Sequence, residues 1–293
     1  MELPLDLVRT FDAVLRTGSL EAAADELSLT PSAVSQRIKT LETRLGRVLL
    51  VRSRPVRATA AGQVVTRLAR QLADLEHGAL ADLGLAGPDA TTVPLAVNAD
   101  SLATWFLPAL APLAARGIVF ELHRDDQDFT AGLLESGTVT AAVTSQDRPV
   151  AGCSVRPLGA MRYLPVAAPG FAARWFSGGA TPEAAPLVDF DRRDTVQTRY
   201  LEALGLDPAL PPRHQVPASA DFATAVELGF GWALVPELQA AERLADGRFV
   251  PILGDPVDVT LFWQRWKLRS PLLASIEDAV VAAARAKLRP MGR

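Results

Sequence analysis

A chain of 293 residues that is 49% hydrophobic is long enough for two domains, and its 30 Lys/Arg against 33 Asp/Glu leave a formal net charge of -3. The opening MELPLDLVRTF has an acid at position 2 and no basic-then-apolar run, so it does not read as a secretory leader, and the longest nearly apolar segment, 102–115, is too short to span a membrane. A single cysteine, Cys153, excludes an internal disulfide and a cysteine-built metal site, and fits a reducing, cytoplasmic setting.

Helical spacing begins at once. Leu7, Phe11, Val14 and Leu15 share a face up to Gly18, and Ser19 then caps LEAAADEL with Glu21 in its first turn. After the turn SLT, Thr30 is an N-cap and Pro31 takes the first helical position ahead of SAVSQRIKTLETRLG, which runs to Gly46. On a helical wheel Val34, Ile38, Leu41 and Leu45 fall in one arc, with Ser32, Gln36, Lys39 and Thr43 opposite. One face meets a core and the other a partner. That partner is anionic, because residues 32–72 hold nine Lys/Arg and one acid, Glu42, for a local net of +8. The pattern predicts a helix-turn-helix on double-stranded DNA, with the start of the third helix in the major groove. Thr30, Ser32 and Ser35 are candidates for base or phosphate contacts, Gln36 for a base edge, and Arg37 and Lys39 for phosphates.

Next, RVLLVRSRPVRATAAG reads as two short extended pieces around Ser53, Arg54 and Pro55, a wing with Arg52, Arg54 and Arg57 near its tip. From Thr59 a long helix puts Ala61, Val65, Leu68, Leu72, Leu75 and Ala79 on an apolar heptad seam. The seam packs on its own domain or on a second subunit; a dimer would set two reading helices on two half-sites. Gly84, Gly87 and Pro88 end the helix and mark a linker.

The order helix, helix, TPSAVSQRIKTLETRLG, LLVR, basic wing and ATAAG resembles the N-terminal unit of the LysR-type transcriptional regulators across residues 3–84. With VSQRIK, and Ser53 and Arg54 in a VR stretch ahead of a proline, it is most similar to the ArgP/LysG branch, lysine/arginine-responsive regulators of amino-acid export.

Beyond Thr91, strand-like VPLAVN, IVFELH, VTAAVT, YLPVAA, PLVDF, HQV, GWALVP, RFVPI and VTLFWQRW alternate with helical segments, including a last helix over 271–288. Alternation predicts an α/β domain with a mainly parallel sheet. The resemblance then implies a periplasmic-binding-protein-like, two-lobed effector domain behind an N-terminal all-α winged helix-turn-helix. The expected divisions are 1–58 for the DNA-binding domain, 59–90 for the linker and dimerisation helix, and 91–293 for the effector domain. Its lobe I covers about 91–165 and 267–293, and lobe II about 166–266.

Ligands of such folds meet the ends of strands where helices begin. VNADS offers Asn98, Asp100 and Ser101, with Thr104 one turn on; Ser101 is expected to cap the helix and Asp100 to meet an ammonium. VPASADF offers Ser219 and Asp221 on the other lobe, Asp221 standing one place after the Ala220 at which the branch carries an acid. The turn DDQD places Asp125, Asp126 and Asp128 after the second strand. By composition that run is as readily a solvated loop; the resemblance makes it a partner for a cationic side chain. Thr144, at a strand end, is a candidate polar contact, and Arg162 a candidate partner for a ligand carboxylate. Trp105 and Phe106 read as core, and Trp263 and Trp266 as core or cleft lining.

Enzyme signatures are missing from the sequence. GFGW lacks the third glycine of a dinucleotide fingerprint, no GxxxxGK[ST] or GxSxG occurs, and His77, His123 and His214 stand apart with no metal-ligand spacing. An enzyme on a binding-protein-like fold, and a constitutive DNA-binding protein without effector, are the less economical readings. The resemblance implies a regulator of promoter DNA, acting as a homodimer or homotetramer with RNA polymerase and with no membrane partner. It implies no cofactor or metal, an L-lysine or L-arginine effector, histidine as a further ligand, and activation of a lysine/arginine exporter gene. A regulator of the same type with another small-molecule effector is the alternative.

Overall fold

A computed structural model describes residues 3–51, 53–83, 92–124, 130–176, 184–252, 254–268 and 270–291. Its N-terminal unit is laid out by caps. α1 (Leu5–Thr17) stops at Gly18 in the left-handed region, and α2 (Leu20–Glu26) starts at Ser19, whose Oγ accepts from the Ala22 N–H at 3.0 Å. α3 (Pro31–Leu45) starts at Thr30, whose Oγ1 accepts from the Ala33 N–H at 3.2 Å, and stops at Gly46. Val34, Ile38 and Leu41 bury against Phe11 and Val14 of α1, each contributing roughly 1.5–3 kcal/mol of hydrophobic free energy. β1 (Leu50–Val51) and β2 (Arg57–Ala58) pair antiparallel as the wing, and the Val56 N–H ties it to the Gly18 carbonyl at 2.9 Å.

The motif ATAAG opens α4 (Ala60–Asp82). Thr59 Oγ1 accepts from the Gly62 N–H at 3.1 Å, and Gly62 lies so close to the Leu49 carbonyl that a Cβ would overlap it. The heptad seam divides. Ala61, Val65 and Leu72 pack into the core beneath α1, whereas Leu75 and Ala79 are exposed; off the seam, Leu80 and, just beyond the helix, Leu83 are exposed as well. The first half of the seam therefore packs on its own domain, as one of the two expectations had it.

Beyond α4 come β3 (Thr92–Val97), α5 (Ala99–Ser101), a π turn (Leu102–Phe106), α6 (Leu107–Ala114), β4 (Val119–Arg124), α7 (Thr130–Glu135), β5 (Ala141–Thr144) and β6 (Cys153–Ala167). They are followed by α8 (Pro169–Trp175), β7 (Leu187–Asp189), α9 (Val196–Ala203), β8 (Arg213–Gln215), α10 (Ser219–Glu227), β9 (Ala233–Pro236) and α11 (Glu237–Ala245). β10 (Val250–Pro251), β11 (Val257–Trp266) and α12 (Pro271–Lys287) complete the chain.

The large sheet runs β10-β6-β11-β5-β3-β4, with β9 also on β6. The expected mainly parallel sheet is corrected: β3 pairs parallel with β4 and β5, but β6 and β11 are antiparallel to each other and β11 to β5. The reason is one of length. YLPVAA is the end of a 15-residue strand that starts at Cys153, and this strand and β11 run side by side across the boundary between lobes. β11, expected in lobe II, instead pairs Phe262–Arg265 with Ala141–Thr144 of lobe I. The far end of β6 turns to β9 and β10 and anchors the second lobe.

Leu95, Val97, Phe106 and Trp263 pack with Ile276 and Val280 of α12 in the first core. Val188, Phe222, Val226, Val235 and Phe249 form the core of the second. Among the described residues the two large units meet at the turn that holds Gly137. Gly137, with φ 73°, lies against the α4 backbone so that a Cβ would come within 2.8–2.9 Å of Arg67, and the Arg70 guanidinium donates to the Thr138 carbonyl. No helix among the described residues is long and apolar enough to cross a membrane.

Candidate functional site

The N-terminal unit presents one exposed polar face. Ser32, Ser35, Gln36 and Lys39 are exposed on α3, with Arg54 and Arg57 exposed on the wing beside it. The Thr30 and Ser32 hydroxyls are 3.0 Å apart, which orders the first turn of the helix. Arg37 departs from expectation. Its guanidinium turns back to α1, donating to Thr10 Oγ1 at 3.2 Å and lying 4.0 Å from the Asp6 carboxylate. It braces α3 on α1 because the neighbouring helix supplies acceptors closer than any partner on the exposed face.

Between the lobes lies a cleft of about 550 Å³ including its open mouth. Its floor is the junction of β3 and α5. Asn98, buried, takes the N-cap position, which corrects the expectation for Ser101: the cap stands three residues earlier, and Ser101 already has helical φ and ψ of -63° and -43°. The Ser101 Oγ is buried with no partner among the described residues. The widened π turn that follows drives Trp105 and Phe106 into the core.

Asp100 stands at the centre. Its Oδ2 accepts from the Tyr163 hydroxyl at 2.7 Å, and its Oδ1 from the Ser219 hydroxyl of the opposite lobe at 2.6 Å. Ser219 in turn accepts from Gln239 Nε2 at 2.9 Å. Burial pushes the Asp100 carboxyl above the ordinary range, and the two hydroxyl donors pull part of the way back. Across the cleft Asp194 is held by its own loop, Oδ1 accepting from the Val196 N–H at 3.0 Å and Oδ2 from the Phe190 N–H at 3.1 Å. Burial also raises Asp194; its backbone donors oppose that, and the negative charges of Asp189 and Asp100 add to it. Gln197 donates to the Val188 carbonyl and keeps Oε1 buried without a partner among the described residues. The described lining thus holds two carboxylates and no Lys or Arg. Such a lining receives cations.

Residues 5–63 match the bacterial regulatory helix-turn-helix proteins of the lysR family, and residues 86–285 match the LysR substrate binding domain. The chain belongs to the LysR family. LysG of Mycobacterium bovis is 46% identical over 276 residues, 93% of this chain and 90% of its own. ArgP of Aeromonas salmonicida is 40% identical over 299 residues, 98% and 99% of the two chains. The fold is similar to the crystal structure of ArgP from Mycobacterium tuberculosis, with a TM-score of 0.90 and 44% identity over 99% of this chain and 100% of that one. It is also similar to full-length LysG from Corynebacterium glutamicum with bound effector Arg, with a TM-score of 0.82 and 37% identity over 98% and 100%. Like these relatives the chain is a transcriptional regulator and not an enzyme.

Within this LysR-family cleft the structure brings together Asn98, Asp100 and Ser219 from the expected set. Others stand elsewhere. Arg162 is corrected: it alternates with Tyr163 along β6, points to the opposite side, and forms two 2.7 Å bonds to Asp258. Asp221 is exposed on α10 and does not line the cleft; Phe222 does. Thr104 turns its hydroxyl onto the Asp100 carbonyl at 2.6 Å, and Thr144 is buried, accepting from the Gln146 N–H at 3.2 Å. Trp263 and Trp266 are core. Arg52, Asp125, Asp126 and Asp128 lie outside the described residues. Sequence reasoning missed Tyr163, Asp194, Gln197 and Gln239. Asp194 lies in the charged stretch DFDRRD, where nothing in the sequence separates a cleft acid from a solvated one.

Proposed function

We propose that the protein binds promoter DNA through α3 and the wing and answers to a basic amino acid, L-lysine or L-arginine, held between its lobes. The observation that carries this is the pair of half-buried carboxylates, Asp100 and Asp194, in a cleft whose described lining has no basic side chain. Desolvated acids that already sit above their ordinary pKa gain most from an incoming ammonium or guanidinium. The bound effector Arg of the Corynebacterium glutamicum LysG, and the lysine-export name of its relatives, support the same class. Exporter activation is the matching output, with RNA polymerase as the protein partner. Homodimer formation through the exposed Leu75 and Leu80 of α4, with Leu83 just beyond its end, would give two reading helices, and tetramers would pair such dimers.

A ligand shifts such a protein only by binding one arrangement of the lobes better than the other. Asp100 and Ser219 already link the two lobes, so occupancy there acts directly on their spacing. Isothermal titration of the full chain with lysine, arginine, histidine and neutral amino acids tests the reading. Heat with the basic set alone is expected; silence with all three basic ligands removes this effector class.

A further inference from the structure

We propose that Arg124 is the specificity-determining residue that pairs with the carboxylate of the effector. The inference deepens the reading of the cleft as a basic-amino-acid site and rests on it. With Asp100 and Asp194 taking the cationic groups, a bound amino acid still has a carboxylate to satisfy, and the described lining offers it no cation. Two nearby guanidinium groups are already engaged by acids: Arg162 by Asp258, and Arg213 by Asp189 at 2.7 Å.

Arg124 is placed differently. It ends β4 in register with Val97, one residue ahead of the floor of the cleft. Its guanidinium lies 5.4 Å over the ring of Phe190, which lines the cleft, and donates at 2.7 Å to the Pro217 carbonyl, two residues before Ser219. Among the described residues it has no carboxylate partner. A neutral carbonyl is a weaker acceptor for a guanidinium than a carboxylate that can take two parallel bonds, so exchanging Pro217 for a ligand carboxylate is favourable. The Phe190 face keeps the guanidinium plane at the mouth while that exchange occurs. The effector then lies with its cations inward and its carboxylate at the mouth.

Calorimetry on the full chain with L-arginine and L-argininamide, which keeps both cationic groups and lacks the carboxylate, tests the assignment. The wild type is expected to prefer L-arginine by on the order of tenfold to a hundredfold. Arg124→Gln should lose that preference by weakening L-arginine alone, and Arg124→Lys should recover part of it. Equal affinity of the wild type for the two ligands overturns the assignment, as does an Arg124→Gln variant that weakens both alike. Absence of binding to both L-lysine and L-arginine in the wild type overturns the amino-acid reading itself, and the anchor with it.

Discussion

Burial raises the Asp100 carboxyl while Tyr163 and Ser219 donate to it, so its negative charge is costly in the folded chain and only partly offset by the two hydroxyls. Because its folded pKa lies above the unfolded value, its contribution to stability is present below the unfolded pKa and is lost as pH rises through the folded one. A bound cation favours the opposite state. Effector affinity should therefore fall as pH drops through the raised Asp100 pKa, approaching about tenfold per pH unit below it. Asp100→Asn should flatten that dependence and cost about 1.5–3 kcal/mol of binding near neutral pH. Calorimetry across mildly acid to neutral pH checks both; a wild-type affinity indifferent to pH would remove Asp100 as the cation partner.

At the scale of elements, α3 separates reading from bracing. Gln36→Ala should weaken specific DNA binding by about 1–3 kcal/mol more than non-specific binding. Arg37→Ala should instead lower the melting temperature of the N-terminal unit, because it cuts the contacts of α3 with Thr10 and Asp6, and leave the salt dependence of DNA binding nearly unchanged. Gel-shift titrations over a salt series, with thermal melts alongside, distinguish the two; a reduced salt slope for Arg37→Ala would return it to the phosphates. The same contrast explains what was legible. Helix caps and apolar arcs are local, so Ser19, Thr30, Gly46 and the Val34–Ile38–Leu41 face could be read from sequence alone. Strand pairing is not local: β6 looked like a short strand because its first residues, CSVRPLGAM, alternate poorly. The cleft shares that weakness. Asp100 and Ser219 sit at strand-to-helix junctions and were visible, whereas Tyr163, Asp194 and Gln239 reach the site from segments 60 residues and more from Asp100 in sequence, with no pattern to announce them.

For the whole molecule, coupling requires that movement of the lobes reach the reading head. The described structure joins the two at the turn where Gly137 meets Arg67 and Arg70 donates to Thr138. Gly137→Ala adds a methyl where the α4 backbone leaves no room, in a backbone conformation that resists a side chain. The expected outcome is effector affinity within about twofold of wild type with a clearly smaller effect of effector on DNA affinity. Unchanged coupling in paired calorimetry and gel-shift measurements would show that the signal travels elsewhere. A contact this tight is a fulcrum. From Arg67 to the end of α4 at Asp82 is about 22 Å of helix, so a tilt of about 5° about the Gly137 turn swings that end by about 2 Å. In the dimer proposed above, such a tilt would change how two copies of α4 meet, and the missing Cβ at Gly137 is what leaves room for the turn to lie against the helix backbone.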